Sequence, residues 1–348
     1  MRITRRCDEP IDRHMNPDLI KLLACPDCGA DLVIEDSTTR VAEAPIQTGS
    51  LRCSNCDLSY PVINGIPRFV PADNYANSFG FEWHRHATTQ LDSRNGTTIS
   101  HDRFELETGW TDDLKGLLML EVGCGSGRFT EVALATGPRL VSIDYSSAVE
   151  VAAQNNLPND RLDVVQADIY SLPFKKGIFD KIFCLGVMQH TPDVEEAFRS
   201  IVGMGRPGGE IVVDVYHKNR FTRLDPRLYL RPFTTRLPHG LLYKLVSLAV
   251  PVLLPIKSFI RRRTPLVGRY AAGLIPVANY IGAYPLSARQ QKEWSILDTF
   301  DALSPKFDNP KTVDEVRTWF EESNMVDIEA GLPYVALVVG KGKVADLN

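Results

Sequence analysis

Between residues 118 and 216 one pattern recurs five times: a short apolar run that closes on an acid or a turn, then a longer amphipathic or polar stretch. The runs are Leu118 to Glu121, Leu140 to Asp144, Leu162 to Gln166, Phe179 to Leu185 and Glu210 to Tyr216. Runs this short and this apolar predict strands buried on both faces, and the intervening segments, of which Phe129 to Ala135 is the clearest, predict helices. Strands alternating with helices build a largely parallel sheet covered on both sides, an α/β fold. A closing helix, Thr312 to Ser323, and two strands, Val326 to Ala330 and Tyr334 to Gly340, follow the same periodicities.

The first run leads straight into Gly123-Cys124-Gly125-Ser126-Gly127 and then a helix-like segment. Glycines so spaced let the backbone take positive φ and let a ligand lie against main-chain N–H groups at a helix N-terminus. A dinucleotide site would carry G-x-G-x-x-G, with the helix start aimed at a pyrophosphate. Here the spacing is G-x-G-x-G and the strand ends in Glu121, which repels phosphate and suits a ligand carrying an ammonium group. The pattern acid-x-G-x-G-x-G resembles the first motif of the class I S-adenosylmethionine-dependent methyltransferases, of the ubiquinone-biosynthesis-like kind (methyltransferase domain type 11). The later runs, and the turn Arg206-Pro207-Gly208-Gly209, stand in that family's order.

The resemblance implies a Rossmann-like sheet of seven strands, the last antiparallel, with S-adenosylmethionine as cofactor. It places Glu121 at the cofactor's amino end and Gly123, Cys124, Gly125 and Gly127 against its methionine part. Asp144 then takes the ribose with Tyr145 beside it, Asp168 and Ile169 take the adenine, and Leu185 closes the site. It also singles out His190, at a position where ubiquinone- and menaquinone-type methyltransferases often have His. An imidazole with a pKa near 7 suits removal of an acceptor's proton; the competing reading is that it caps or orients the helix starting near Asp193, or only shapes the pocket.

Ahead of this core lie Cys25-Pro26-Asp27-Cys28 and Cys53-Ser54-Asn55-Cys56. Two C-x-x-C knuckles complete a closed tetrahedral site, so Cys25, Cys28, Cys53 and Cys56 read as ligands of a structural Zn2+. A redox pair would need one C-x-x-C at a strand-to-helix junction. Lys21 to Ala24 and Tyr60 to Pro67 resemble the small zinc-ribbon methyltransferase-activator family, and also the ribbon at the front of bacterial ribosomal-RNA guanine methyltransferases. The seven cysteines fit a reducing compartment. Met1 to Asn16 is polar, without the apolar core of a secretory signal, and the expectation is a cytoplasmic protein.

Charge changes the picture in one place. His217 to Glu293 holds fourteen Lys and Arg against two acids, in a chain of net charge −4. Such asymmetry points to an anionic partner or surface. Leu241 to Ile260 is greasy enough to raise a transmembrane span, but Pro251, Pro255, Lys244 and Lys257 interrupt it. An interfacial or lid helix fits better, with peripheral membrane contact through 241–263 at the inner face, or simple packing on the core. Trp83, His86, Gln90 and Arg103, in the helical stretch before the core, and Asp298 and Asp301 after the insertion are the candidate acceptor residues. Trp294 to Pro305, Thr88 to Asp92 and Asn95 to Ile99 resemble segments of bacterial methyltransferases of polysaccharide and secondary-metabolite pathways.

The 348 residues thus divide into a polar tail (1–18), a zinc ribbon (19–71), a helical linker or cofactor lid (72–115), a catalytic α/β domain (116–216 and 295–348) and a basic helical insertion (217–294). The expected function is biosynthetic methyl transfer to an oxygen, less readily a nitrogen, of a small or amphiphilic metabolite or glycan intermediate. An RNA methyltransferase would account for ribbon and basic insertion, but Met1 to Val70 carries eight Lys and Arg against ten acids, a poor phosphate binder. A non-catalytic zinc-ribbon interaction protein would tolerate a damaged glycine turn, and this turn is intact. Oligomeric state and acceptor identity leave no mark in the sequence.

Overall fold

The buried apolar runs pair side by side in the computed structural model of the chain, which describes residues 14–35, 47–71, 74–220, 222–263 and 271–346. A four-stranded antiparallel ribbon comes first: β1 (Leu32–Glu35), β2 (Thr48–Cys53), β3 (Ser59–Ile63) and β4 (Ile66–Pro67). Three helices follow, α1 (Asn77–Arg85), α2 (Asp92–Asn95) and α3 (Ile99–Thr108), in the stretch expected to be a helical linker. The main sheet then alternates β5 (Leu118–Val122), α4 (Arg128–Ala135), β6 (Arg139–Asp144), α5 (Ala148–Asn156), β7 (Leu162–Gln166), β8 (Phe179–Cys184), α6 (Val194–Val202) and β9 (Gly205–Tyr216). The insertion contributes α7 (Pro226–Thr234) and α8 (His239–Arg263), and the chain closes with α9 (Ala288–Leu303), α10 (Val313–Glu322), β10 (Met325–Tyr334) and β11 (Leu337–Val344).

The strand order is β10-β11-β9-β8-β5-β6-β7, parallel from β9 to β7 and antiparallel at β11 and β10. This is the Rossmann-like seven-stranded sheet that the resemblance implies. Period-two alternation distributes each run over both faces. Leu120, Val122, Val141 and Ile182 enter one apolar cluster, while Met119, Leu140 and Phe183 enter the other with Phe104 and Trp110.

The ribbon is built into the first of these clusters, which also holds Met15, Leu19, Leu23, Leu51 and Val62. Its backbone is bonded to the sheet domain as well: Ala24 N–H to the Pro173 carbonyl (3.0 Å), Lys175 N–H to Leu22 (2.9 Å) and Phe69 N–H to Gln166 on edge strand β7 (2.8 Å). Met15 is 2% exposed, so the docked region begins inside the segment read as a tail; residues 1–13 of that segment lie outside the described residues.

Two boundaries are corrected, and the helix expected over Leu241 to Ile260 is present: α8 runs unbroken past Pro251 and Pro255. They lie one turn apart on its exposed side, where water can reach the carbonyls a proline leaves unpaired. The last two strands turn at Val335 and Ala336, so Tyr334 ends β10 rather than starting β11. The boundary expected at 294/295 falls inside α9, a helix started by Ser287 with Gln290 in a capping box.

Candidate active site

The ends of β5, β6 and β8 open, with α1 and α9, onto a cavity of about 710 Å³. The turn after β5 forms its floor. Gly123 has φ +84° and a Cβ there would come 2.2 Å from Val187 Cγ2; at Gly125, φ +52°, it would come 3.0 Å from Trp83 Nε1. Both positions therefore need glycine for space as well as conformation. Gly127 lies off the wall, where it starts α4 against α5.

Asp144 is on the wall, its Oδ2 accepting from Gly125 N–H at 2.9 Å and its Oδ1 from the Ser146 amide and hydroxyl at 2.8 and 2.7 Å. Three protein donors fix the carboxylate, although burial raises its pKa, and a carboxylate keeps lone pairs for a ligand hydroxyl. Tyr145, Cys124, Ile169 and Leu185 share the wall, and Tyr145 packs on Tyr75 with centroids 4.9 Å apart. Asp168 lies just behind it, accepting from Tyr170 N–H at 3.0 Å. Glu121 lies beneath the turn, its Oε2 taken by Thr130 (2.5 Å) and Ser142 (2.6 Å), and burial pushes its carboxyl up to about 7. The glycine cradle, the anchored carboxylate and the aromatic pair could hold S-adenosylmethionine.

His190 ends a 3-10 turn after β8 and is almost fully buried on the wall. Its Nδ1 stands 3.1 Å from the Phe307 carbonyl, which can only accept, so Nδ1 carries the hydrogen. Nε2 is then the bare nitrogen: it has no hydrogen-bond partner, and Asp301 Oδ1 lies 3.9 Å away. Asp301 in turn accepts from Tyr216 OH at 3.2 Å.

Trp83, Gln90, Arg103, Asp298 and Asp301 all reach the cavity. Arg103 ion-pairs with Glu107 (2.7 Å) and with Asp214. Arg128 donates to Ser100 (2.9 Å) and Gln90 (3.0 Å), and Gln90 passes the chain on to Asp298 at 3.3 Å. Tyr280 holds the other Asp298 oxygen, and burial pushes Asp298 up to about 7. His86 does not reach the cavity. It is clamped between Thr89 (3.2 Å) and Tyr243 OH (3.0 Å), and burial brings it down to about 4, so it ties α1 to α8 as a neutral ring.

Glu82 escaped the sequence reading. It faces the cavity between Phe79 and Trp83 on α1, and the signal was there: positions 79, 82 and 83 share one helical face.

In the ribbon the four cysteine sulfurs lie within 4.8 Å of one another, with Sγ···Sγ distances of 3.4 to 3.6 Å for the closest pairs. A tetrahedron of Zn–S bonds of about 2.3 Å has edges of about 3.8 Å, so the cluster fits a structural zinc.

Residues 120–213 match the methyltransferase domain family, and residues 16–65 match the Trm112p-like proteins. The chain carries a class I S-adenosylmethionine-dependent methyltransferase domain. A Trm112-like domain precedes it. The ubiquinone biosynthesis O-methyltransferases of Pseudomonas entomophila (strain L48) and Pseudomonas putida (strain W619) are each 29% identical over 136 residues, which cover 37% of this chain and 56% of theirs. The match thus spans little more than half the length of these curated relatives. Among solved structures, the complex of the Haloferax volcanii Trm112 methyltransferase activator with a methyltransferase aligns over 77% of this chain and 98% of that one (13% identity, TM-score 0.44). The Haemonchus contortus phosphoethanolamine N-methyltransferase 2 with S-adenosyl-L-methionine aligns over 83% and 63% (12% identity, TM-score 0.45).

Proposed function

We propose that the methyltransferase moves a methyl group onto a hydroxyl oxygen of a small or amphiphilic acceptor, with His190 as the base. The observation that carries this is the fixed tautomer: Phe307 holds Nδ1–H, which leaves the Nε2 lone pair bare at the cavity wall beside Asp301. Bound S-adenosylmethionine supplies an electrophilic methyl whose bonding pair stays on sulfur. The protein's part is alignment and proton removal. The acceptor oxygen bonds the methyl, its proton passes to Nε2, and Asp301 stabilises the imidazolium. The aligned relatives are named for O-methylation in ubiquinone biosynthesis, an amphiphilic acceptor class.

The same reading gives α8 a place at a membrane's cytoplasmic face. Leu241, Leu245, Leu248, Val252, Ile256 and Phe259 form one exposed apolar stripe, with Arg261, Arg262 and Arg263 at its end. That arrangement suits a helix lying in an anionic interface, from which an amphiphilic acceptor would enter.

The test is label transfer from tritiated S-adenosylmethionine into two acceptor pools, total RNA and a small-molecule plus lipid extract. Label in the extract, falling at least 100-fold with His190→Gln while cofactor affinity holds, is the expected result. Label in RNA alone, or an unaffected His190→Gln, overturns it.

A further inference from the structure

Where α1 meets α9 the cavity wall holds a carboxyl with nothing to bind. Glu82 is 1% exposed and lines the cavity, yet neither carboxyl oxygen has a hydrogen-bond partner. Burial, with the charges of Asp301 and Asp298 close by, holds it well above the usual carboxylate range. A buried polar group left unpaired is destabilising, and more so if charged. A site kept in this condition is organised for something that arrives from outside.

The wall's own cations are committed elsewhere. Arg103 pairs with Glu107 and Asp214, Arg227 with Asp225, and Arg128 donates to Ser100 and Gln90. Asp298 has Tyr280 and Gln90 as donors, and Asp301 has Tyr216. Neutral donors satisfy geometry; the charges of Arg128 and Arg103 favour ionised Asp298, but on Glu82 the neighbouring charges are those of Asp301 and Asp298, which oppose its ionisation. Around the cluster the wall is aromatic, with Phe79, Trp83, Tyr280 and Trp294, and aromatic faces attract cations. A ligand hydroxyl offers one hydrogen and no charge. A protonated amine offers up to three hydrogens and a full positive charge, and Glu82 has neither.

We propose that Glu82, Asp298 and Asp301 form an ammonium-binding subsite, and that the acceptor is an amino alcohol held there by its amine. Asp301 joins the two halves of the site, since it also stands 3.9 Å from His190 Nε2. An amine anchored at Glu82 places a neighbouring hydroxyl at the base. This second half rests on the function proposed above; the subsite itself does not.

The experiment uses the full chain without any methyl donor. Ethanolamine and glucosamine, as a simple amino alcohol and an amino sugar, are titrated against their N-acetyl derivatives, with binding read from the fluorescence of Trp83 and Trp294. Saturable binding of at least one free amine, at least tenfold tighter than its acetylated form, is expected, and the amine that binds tells which source the site suits. Glu82→Gln and Asp298→Asn should each weaken amine binding at least tenfold with unchanged thermal unfolding and S-adenosylmethionine affinity. Failure of both amines to bind, equal binding of the acetylated forms, or parental amine affinity in folded Glu82→Gln overturns the subsite. If amines bind selectively but no acceptor takes label, the subsite stands and the methyl-transfer reading falls.

Discussion

The ribbon and the insertion are both additions to one α/β sheet, and both carry apolar side chains, but they place them in opposite ways. The ribbon turns its apolar residues inward. Leu19, Leu23, Leu51 and Val62 are all but inaccessible and belong to the same cluster as Val122 and Ile143 of the sheet. The insertion splits its long helix: Leu242, Val246, Val250 and Leu254 pack against Ile296 and Phe300 of α9, while Leu248 at 64%, Val252 at 62% and Phe259 at 60% face outward. A domain sealed into the core contributes stability. A helix that exposes six large apolar residues is a candidate contact surface.

The largest effect that tests this contrast is metal loss. Structural zinc sites contribute folding free energy outright, and here the ribbon's core is continuous with the catalytic one. Elemental analysis should find roughly one equivalent of zinc in the parent chain; Cys53→Ser should abolish it and lower the melting temperature of the whole chain by about 10 °C or more. A sheet domain that melts at its parental temperature without the ribbon's metal would break the comparison.

Next come paired substitutions on α8. Val250→Asp puts a charge into a fully buried position and should cost roughly 3 kcal/mol or more. Val252→Glu, two residues on and exposed, should change stability by about 0.5 kcal/mol or less, yet reduce sedimentation with anionic vesicles at low salt several-fold. Equal vesicle binding by parent and Val252→Glu would leave the stripe without a membrane role.

The smallest effect concerns Glu121, whose native carboxyl sits at about 7 against an ordinary 4.5. The native state keeps a proton that the unfolded chain releases, so this group's contribution to stability falls as pH rises from about 4.5 to about 7. Glu121→Gln keeps an oxygen for Thr130 and Ser142 but has nothing to titrate. The parent should therefore lose a few degrees of melting temperature relative to the variant across that interval and stay level above it. Asp298 and Glu107 shift in the same sense but are present in both proteins and cancel. A difference that is flat with pH would remove the assignment.

The sheet was legible because strands buried on both faces write themselves as apolar runs, and because the zinc knuckles and the Gly123 to Gly127 turn are local spacings. The residues that misled are those whose neighbours come from far along the chain. His86 reads as a lid ligand until Tyr243 arrives to hold its ring. Glu82 reads as one acid among aromatics until α9 sets Asp298 and Asp301 beside it. The helix across Pro251 and Pro255 was expected, but not that Val250 and Leu254 would pack on α9. Met15 gave no pattern at all, because a single apolar residue in a polar stretch has no periodicity to show.

The most direct measurement is a calorimetric titration of S-adenosylmethionine into the parent chain and Asp144→Ala. One site per chain in the parent, weakened at least tenfold in a variant that melts at the parental temperature, is the result expected of a cofactor held at the end of β6. No binding by the folded parent, or parental affinity in the variant, would contradict it.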